Sequence, residues 1–200
     1  IMNLMGRYYE INKGEILFDD IPQNNFDIDF LRSQISVVLQ DVFLFSDSIK
    51  NNISLYSKAI TDDEIIEAAK YIGAHQFIMQ LPGGYDFNVR ERGSMLSTGQ
   101  RQMIAFLRAY VHKPAILVLD EATSSIDTET EQLIQSATEK ITKGRTSFII
   151  AHRLATIQKA SCIMVIENGR IIETGTLQEL LKKEGHFKSL YEHQFSEVSA

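Results

Sequence analysis

Apolar residues change their period several times along this chain, and each change marks an element. Between positions 100 and 111 they recur at Met103, Ile104, Phe106, Leu107, Tyr110 and Val111, the spacing of a helix with one buried face, while Arg101, Gln102 and Arg108 fall off that face. Ser97 and Thr98 stand before it as N-cap candidates and Pro114 stops it. Residues 115–119 are then continuously apolar, as expected of a central parallel strand buried on both faces. That strand delivers two adjacent carboxylates, Asp120 and Glu121. Upstream, residues 1–9 read as a helix already under way, 15–18 as a short strand between the turns Lys13-Gly14 and 19–22, and 35–39 as a strand ending in Gln40. Residues 61–79 read as helices opened by a Thr61–Glu64 capping box, until Leu81-Pro82-Gly83-Gly84-Tyr85 breaks the pattern. Downstream, 128–141 is helical, and Gly144-Arg145-Thr146 turns into a strand at 147–151 that His152 follows. Residues 162–167 and 170–173 form strands about Asn168-Gly169, a hairpin turn, and helices at 176–183 and 186–195 close the chain.

Two hundred residues at 44% hydrophobic content suffice for one sizeable core, with room for a smaller lobe. The net charge of -6 argues against a broad nucleic-acid surface. No apolar run approaches the ~20 residues of a membrane-spanning helix, and nothing at the start reads as a signal peptide. The single Cys162 forms no disulfide within the chain and reads as a small core residue, which suits a reducing, cytosolic setting.

Two places carry candidate chemistry. Ser97, Thr98 and Gly99 open a rigidly held helix, so free N–H groups and the positive helix end are available to an anion such as phosphate; an ordinary N-cap has the same sequence. Asp120 and Glu121 stand at the carboxyl end of a parallel strand, where open α/β sheets bind ligands. A magnesium ion held by the first carboxylate, with the second free to take a proton from water, accounts for the pair; a capping Asp-Glu before the next helix is the plainer reading. His152 follows a second strand at the same predicted edge.

The stretches LSTGQ, 96–100, and ILVLDEATSSID, 116–127, resemble the signature motif, Walker B strand, catalytic glutamate and D-loop of an ABC-transporter ATPase domain. QDVFLFSDSIKNNI, 40–53, resembles the Q-loop in its exporter version, and AHRLATI, 151–157, the switch-histidine motif. Arg90-Glu91-Arg92-Gly93 resembles the exporter x-loop, with a solvated charged turn as an equal alternative. The resemblance spans nearly the whole chain. It implies an α/β P-loop NTPase (RecA-like) fold: a parallel sheet core at 1–40 and 113–200, an antiparallel β edge, and a helical signature subdomain reached through the Q-loop, 41–112. It also implies a glycine-rich Walker A loop, an adenine-stacking aromatic and a membrane region ahead of residue 1, so the expectation is the C-terminal part of a longer exporter, inactive by itself.

By the same resemblance the cofactors are ATP and Mg2+. Asp120 binds magnesium through its water shell, Gln40 helps place metal and water, Glu121 is the general base and His152 holds the γ-phosphate. Ser97, Thr98, Gly99 and Gln100 close over the nucleotide of a second ATPase domain, with Asp127 crossing that head-to-tail interface. Thr98 stands where the family most often has glycine, a departure that favours a heterodimer over a homodimer. The other partner implied is the coupling helices of a transmembrane domain, at the cytoplasmic face of the cell membrane, and no nucleic acid. DNA-repair relatives carry coiled-coil insertions for which 40–96 leaves no room, and an importer is a weaker rival. A non-catalytic partner lacking the phosphate loop stays open.

Overall fold

The computed structural model describes residues 1–120, 128–151 and 153–195, so Glu121, Asp127 and His152 lie outside the described residues. The chain divides into two compact units, Ile1–Ile150 and Ala151–Ala200.

In the first unit, α1 (Met2–Met5) is shorter than the helix expected over 1–9. The chain turns at Gly6, where an added Cβ would lie 2.6 Å from the Tyr8 ring, and Arg7 takes a positive φ of 52°. Arg32 closes this turn from outside, donating to the Gly6 and Arg7 carbonyls at 3.0 and 3.1 Å and lying over the Tyr8 ring. The antiparallel pair β1 (Leu17–Phe18) and β2 (Ile21–Pro22) follows; its turn is Asp19-Asp20, both at positive φ, so Ile21 and Pro22 are strand rather than turn. Then come α2 (Ile28–Ser33), capped by the Asp27 carboxylate, and β3 (Ile35–Val38).

The helical layer comprises α3 (Ile49–Ser54), α4 (Asp62–Ile72), α5 (His75–Gln80) and α6 (Thr98–Val111). Both arms of the Thr61–Glu64 capping box are made, and Gly73, at φ 99°, ends α4 in the left-handed region that glycine tolerates. After α6 the chain runs through β4 (Ile116–Asp120), α7 (Thr128–Thr142) and β5 (Thr146–Ile150). The strands form one parallel sheet in the order β3-β4-β5, aligned from Ile35↔Ile116 to Val38↔Leu119 and from Ile116↔Thr146 to Asp120↔Ile150. Leu117, Val118 and Leu119 of the central strand are buried, as their continuous apolar run predicted.

The signature-like helix α6 packs against α3, α4 and α7. It therefore buries more than one face: Gln102 is 5% exposed and Arg108 is half-buried, against the expectation that both face solvent. Neighbours on three sides overrule a pattern that assumes one.

The second unit contains α8 (Leu154–Lys159), β6 (Ile163–Glu167), β7 (Arg170–Gly175), α9 (Leu177–Lys182) and α10 (His186–Phe195). β6 and β7 pair antiparallel about Asn168 and Gly169, at φ 49° and 75°, the backbone that an Asn-Gly hairpin turn requires. Val165, Leu180 and Phe187 make its small core. Cys162 is exposed, contrary to its reading as a core residue, because β6 begins one residue later. Among the described residues no helix is long and apolar enough to cross a membrane.

Candidate functional site

β4 ends in Asp120, whose partly exposed carboxylate stands at the carboxyl edge of the sheet beside Ile150, the last residue of β5. On the other side Val38 is level with Leu119, so the register carries Leu39 to the level of Asp120, and the exposed Gln40 follows directly. The structure thus brings Asp120 and Gln40 to one edge, with a central buried strand holding the carboxylate in place. Both offer oxygen, the donor that a hard cation such as Mg2+ takes. Among the described residues no group of three or more His, Cys, Asp or Glu could hold a metal by itself. An Asp and a Gln fit magnesium in its usual mode, in which one or two protein oxygens leave the remaining positions to water and phosphate.

The turn opening α6 is built differently. Ser97 Oγ accepts from the Gln100 N–H at 3.2 Å and the Gln100 side-chain oxygen accepts from the Ser97 N–H at 3.0 Å, a reciprocal box that fixes the start of the helix. Ser97 and Gln100 are therefore occupied with each other. Among the described residues, the Thr98 and Gly99 N–H groups are the open donors of the first turn. The Thr98 hydroxyl accepts from Arg101 at 3.0 Å, and the same guanidinium donates to the Leu96 carbonyl at 2.8 Å. Gly99 is buried, and a Cβ there would sit 2.1 Å from Thr130 Cγ2 on α7. Its absent side chain lets two helices meet, a demand separate from any ligand. No hydrogen bond or ion pair among the described residues joins this turn to Asp120 or Gln40.

Two features escaped the sequence reading. Asn52 is fully buried in α3: its amide donates to the Phe45 and Ser48 carbonyls, both at 3.0 Å, and its oxygen accepts from the Phe45 N–H at 2.8 Å. Arg108, far along α6, donates to the Asn52 carbonyl at 2.8 Å and the Phe43 carbonyl at 3.2 Å. Burial holds its pKa below the usual arginine value. The signal in the sequence was a polar Asn at a position that helical spacing shares with Ile49 and Ile53. The turn Arg90-Glu91-Arg92-Gly93, which the sequence singled out, exposes Arg90, Glu91 and Arg92 and buries Gly93. Arg90, Arg92 and Gly93 have φ of 61°, 51° and 71°, and a Cβ on Gly93 would come within 2.8 Å of Leu44.

The model of the ABC transporter family matches residues 1–124. A Staphylococcus aureus protein named for multidrug export as an ATP-binding/permease protein, from strain NCTC 8325 / PS 47, is 49% identical over 194 residues, 97% of this chain and 34% of its own length. Its counterpart from the bovine strain RF122 / ET3-1 is 48% identical over the same share of each chain. Among solved structures, that of a bacterial Atm1-family ABC exporter with ATP bound superposes with a TM-score of 0.88 at 38% identity, again over 97% of this chain and 34% of that one. The chain thus spans about a third of the length of the relatives it matches. Together with the parallel sheet, its edge carboxylate and the capped glycine turn, these likenesses establish that the chain belongs to the ABC transporter family.

Proposed function

We propose that this chain is the ATP-binding and ATP-hydrolysing part of an exporter whose transmembrane domain belongs to the same full-length protein. The observation that carries the reading is Asp120 at the carboxyl end of the buried central strand, one edge shared with Gln40. ATP hydrolysis is chiefly positioning and charge neutralisation. Magnesium, when bound, neutralises phosphate charge, and Asp120 and Gln40 are the residues that would hold it. Glu121, adjacent to Asp120, is assigned as the general base, and His152, two residues past the end of β5, as the γ-phosphate contact. The open Thr98 and Gly99 N–H groups, fixed by the Ser97–Gln100 box, serve the nucleotide of a second ATPase domain, with Asp127 at the same interface.

Thr98 favours a heterodimeric pairing, and the domain works at the cytoplasmic face of a membrane. Residues 1–40 and 113–200 act as the catalytic core and 41–112 as the signature arm. The sequence contains no G-x-x-x-x-G-K-[S/T] loop, so the isolated chain binds Mg-ATP weakly; micromolar binding by calorimetry would show otherwise. The decisive test is Glu121→Gln in the complete exporter. Turnover is abolished while ATP binding is kept; normal turnover removes the assigned base. No ATP turnover by the unaltered exporter with either candidate partner would favour a non-catalytic subunit instead.

A further inference from the structure

Arg108 lies within α6 itself, yet its three acceptors all belong to the segment that follows Gln40. Its Nε donates to the Asn52 carbonyl at 2.8 Å, one terminal nitrogen to the Phe43 carbonyl at 3.2 Å and the other to Asn52 Oδ1 at 3.5 Å. The guanidinium therefore spans both ends of the loop from Phe43 to Asn52. Asn52 closes the same loop from inside through Phe45 and Ser48. Leu44, Ile49 and Ile53 of this segment are fully buried in the core that α6 also lines. On its outer side the loop presents Phe43 and Phe45, exposed and packed edge to face at 5.2 Å. Gln40 stands three residues before the anchored Phe43, a tether of at most ~11 Å.

We infer that Arg108 is a positioning residue that fastens residues 41–54, and through them Gln40, to the helix carrying the Ser97–Gln100 turn. A load on the Phe43–Phe45 pair then reaches both Gln40 and the box turn as one displacement. A lysine keeps the charge and the stem but has no planar fork, so it cannot hold the two carbonyls together. The inference rests on the functional reading above for its consequence in catalysis, but its mechanical part stands without nucleotide.

Arg108→Lys separates the two. In hydrogen exchange of the protein without nucleotide, amides of residues 43–54 exchange faster by on the order of tenfold, while those of β3, β4 and β5 keep their rates. In the complete exporter, kcat for ATP falls on the order of tenfold with KM within about twofold, the signature of lost positioning rather than lost binding. Arg108→Gln, which removes the charge and the fork while keeping a polar side chain at that position, shows the same split and stands in if Arg108→Lys does not accumulate. Unchanged exchange at 43–54, or exchange rising equally across the sheet, overturns the clamp. So does a higher KM at constant kcat. If the unaltered exporter does not turn over ATP, the functional reading falls alone, and the exchange experiment still decides the clamp.

Discussion

Gly99→Ala puts two accounts of one glycine in opposition. In the ligand account the residue matters because phosphate approaches the backbone closely. Without nucleotide, alanine at a helical position would then stabilise the chain by about 0.4–1 kcal/mol, by restricting the unfolded state. The packing account predicts the reverse. The new Cβ would lie 2.1 Å from Thr130 Cγ2 and 3.5 Å from its Cβ. Ordinary carbon–carbon contact is about 3.5–4.0 Å, so the overlap with the methyl is more than about 1 Å. Thr130 is β-branched on a helix, which confines its χ1 to two wells and limits how far its γ atoms can swing away. The two helices must part, and overpacking of that kind costs about 1–3 kcal/mol. Alanine's better helix propensity returns at most about 1 kcal/mol, and less in a first turn.

The expected net loss is therefore about 1–2 kcal/mol, or roughly 2–8 °C in Tm for a domain of this size. Thermal unfolding of the chain without nucleotide, followed by circular dichroism, measures it. Thr130→Ser removes Cγ2 and keeps the hydroxyl, so the double variant Gly99→Ala/Thr130→Ser recovers most of the loss. An unchanged or higher Tm in Gly99→Ala, or no recovery in the double variant, refutes the packing account.

Two further outcomes follow from the same reasoning. The Thr61 N–H, and after it Lys113, holds the Glu64 carboxyl below its ordinary pKa of 4.5. A depressed folded pKa contributes stability above the unfolded value that is lost as pH falls through the folded one, so α4 should loosen only below pH 4.5; an NMR titration of Glu64 with its midpoint at or above that value would contradict this. In the second unit the two oxygens of Glu173 accept from the His186 and Phe187 N–H groups at 2.8 and 2.9 Å, and a Cβ on Gly185 would lie 1.9 Å from one of them. Glu173→Gln and Gly185→Ala should each speed amide exchange in the first turn of α10, by a cap's worth of about 0.5–2 kcal/mol, and together no more than either alone.

Most of the framework was legible because it depends on local chemistry. The apolar run into Asp120, the Thr61–Glu64 box, the Ser97 cap and the Asn168-Gly169 turn each satisfy their demands within a few residues. The readings that failed depend on partners distant in sequence. Residues 1–9 have a helical pattern, but Arg32 takes the Gly6 and Arg7 carbonyls 26 and 25 residues away and rewards an early turn. Cys162 looked buried because the apolar run continues through it, but strand pairing begins at Ile163. In each case a local pattern was right about chemistry and wrong by a residue or a turn about where tertiary contacts begin.

Helix α6 shows why the site was only half legible. Its first turn is described by four consecutive residues, so the Ser97 cap and the open N–H groups could be read directly, although Gln100's part in closing that cap was not. Its far end is defined by carbonyls 56 and 65 residues upstream, and no periodicity along α6 names them. A charged residue on a predicted polar face normally needs no explanation, and that default concealed Arg108. Asn52 was the better clue. A buried amide must find partners for its donors and its acceptor, so an asparagine between Ile49 and Ile53 on a short helix already requires a polar structure behind it. The physical demand was present in the sequence, while the residue that helps to meet it could be identified only once the chain had folded.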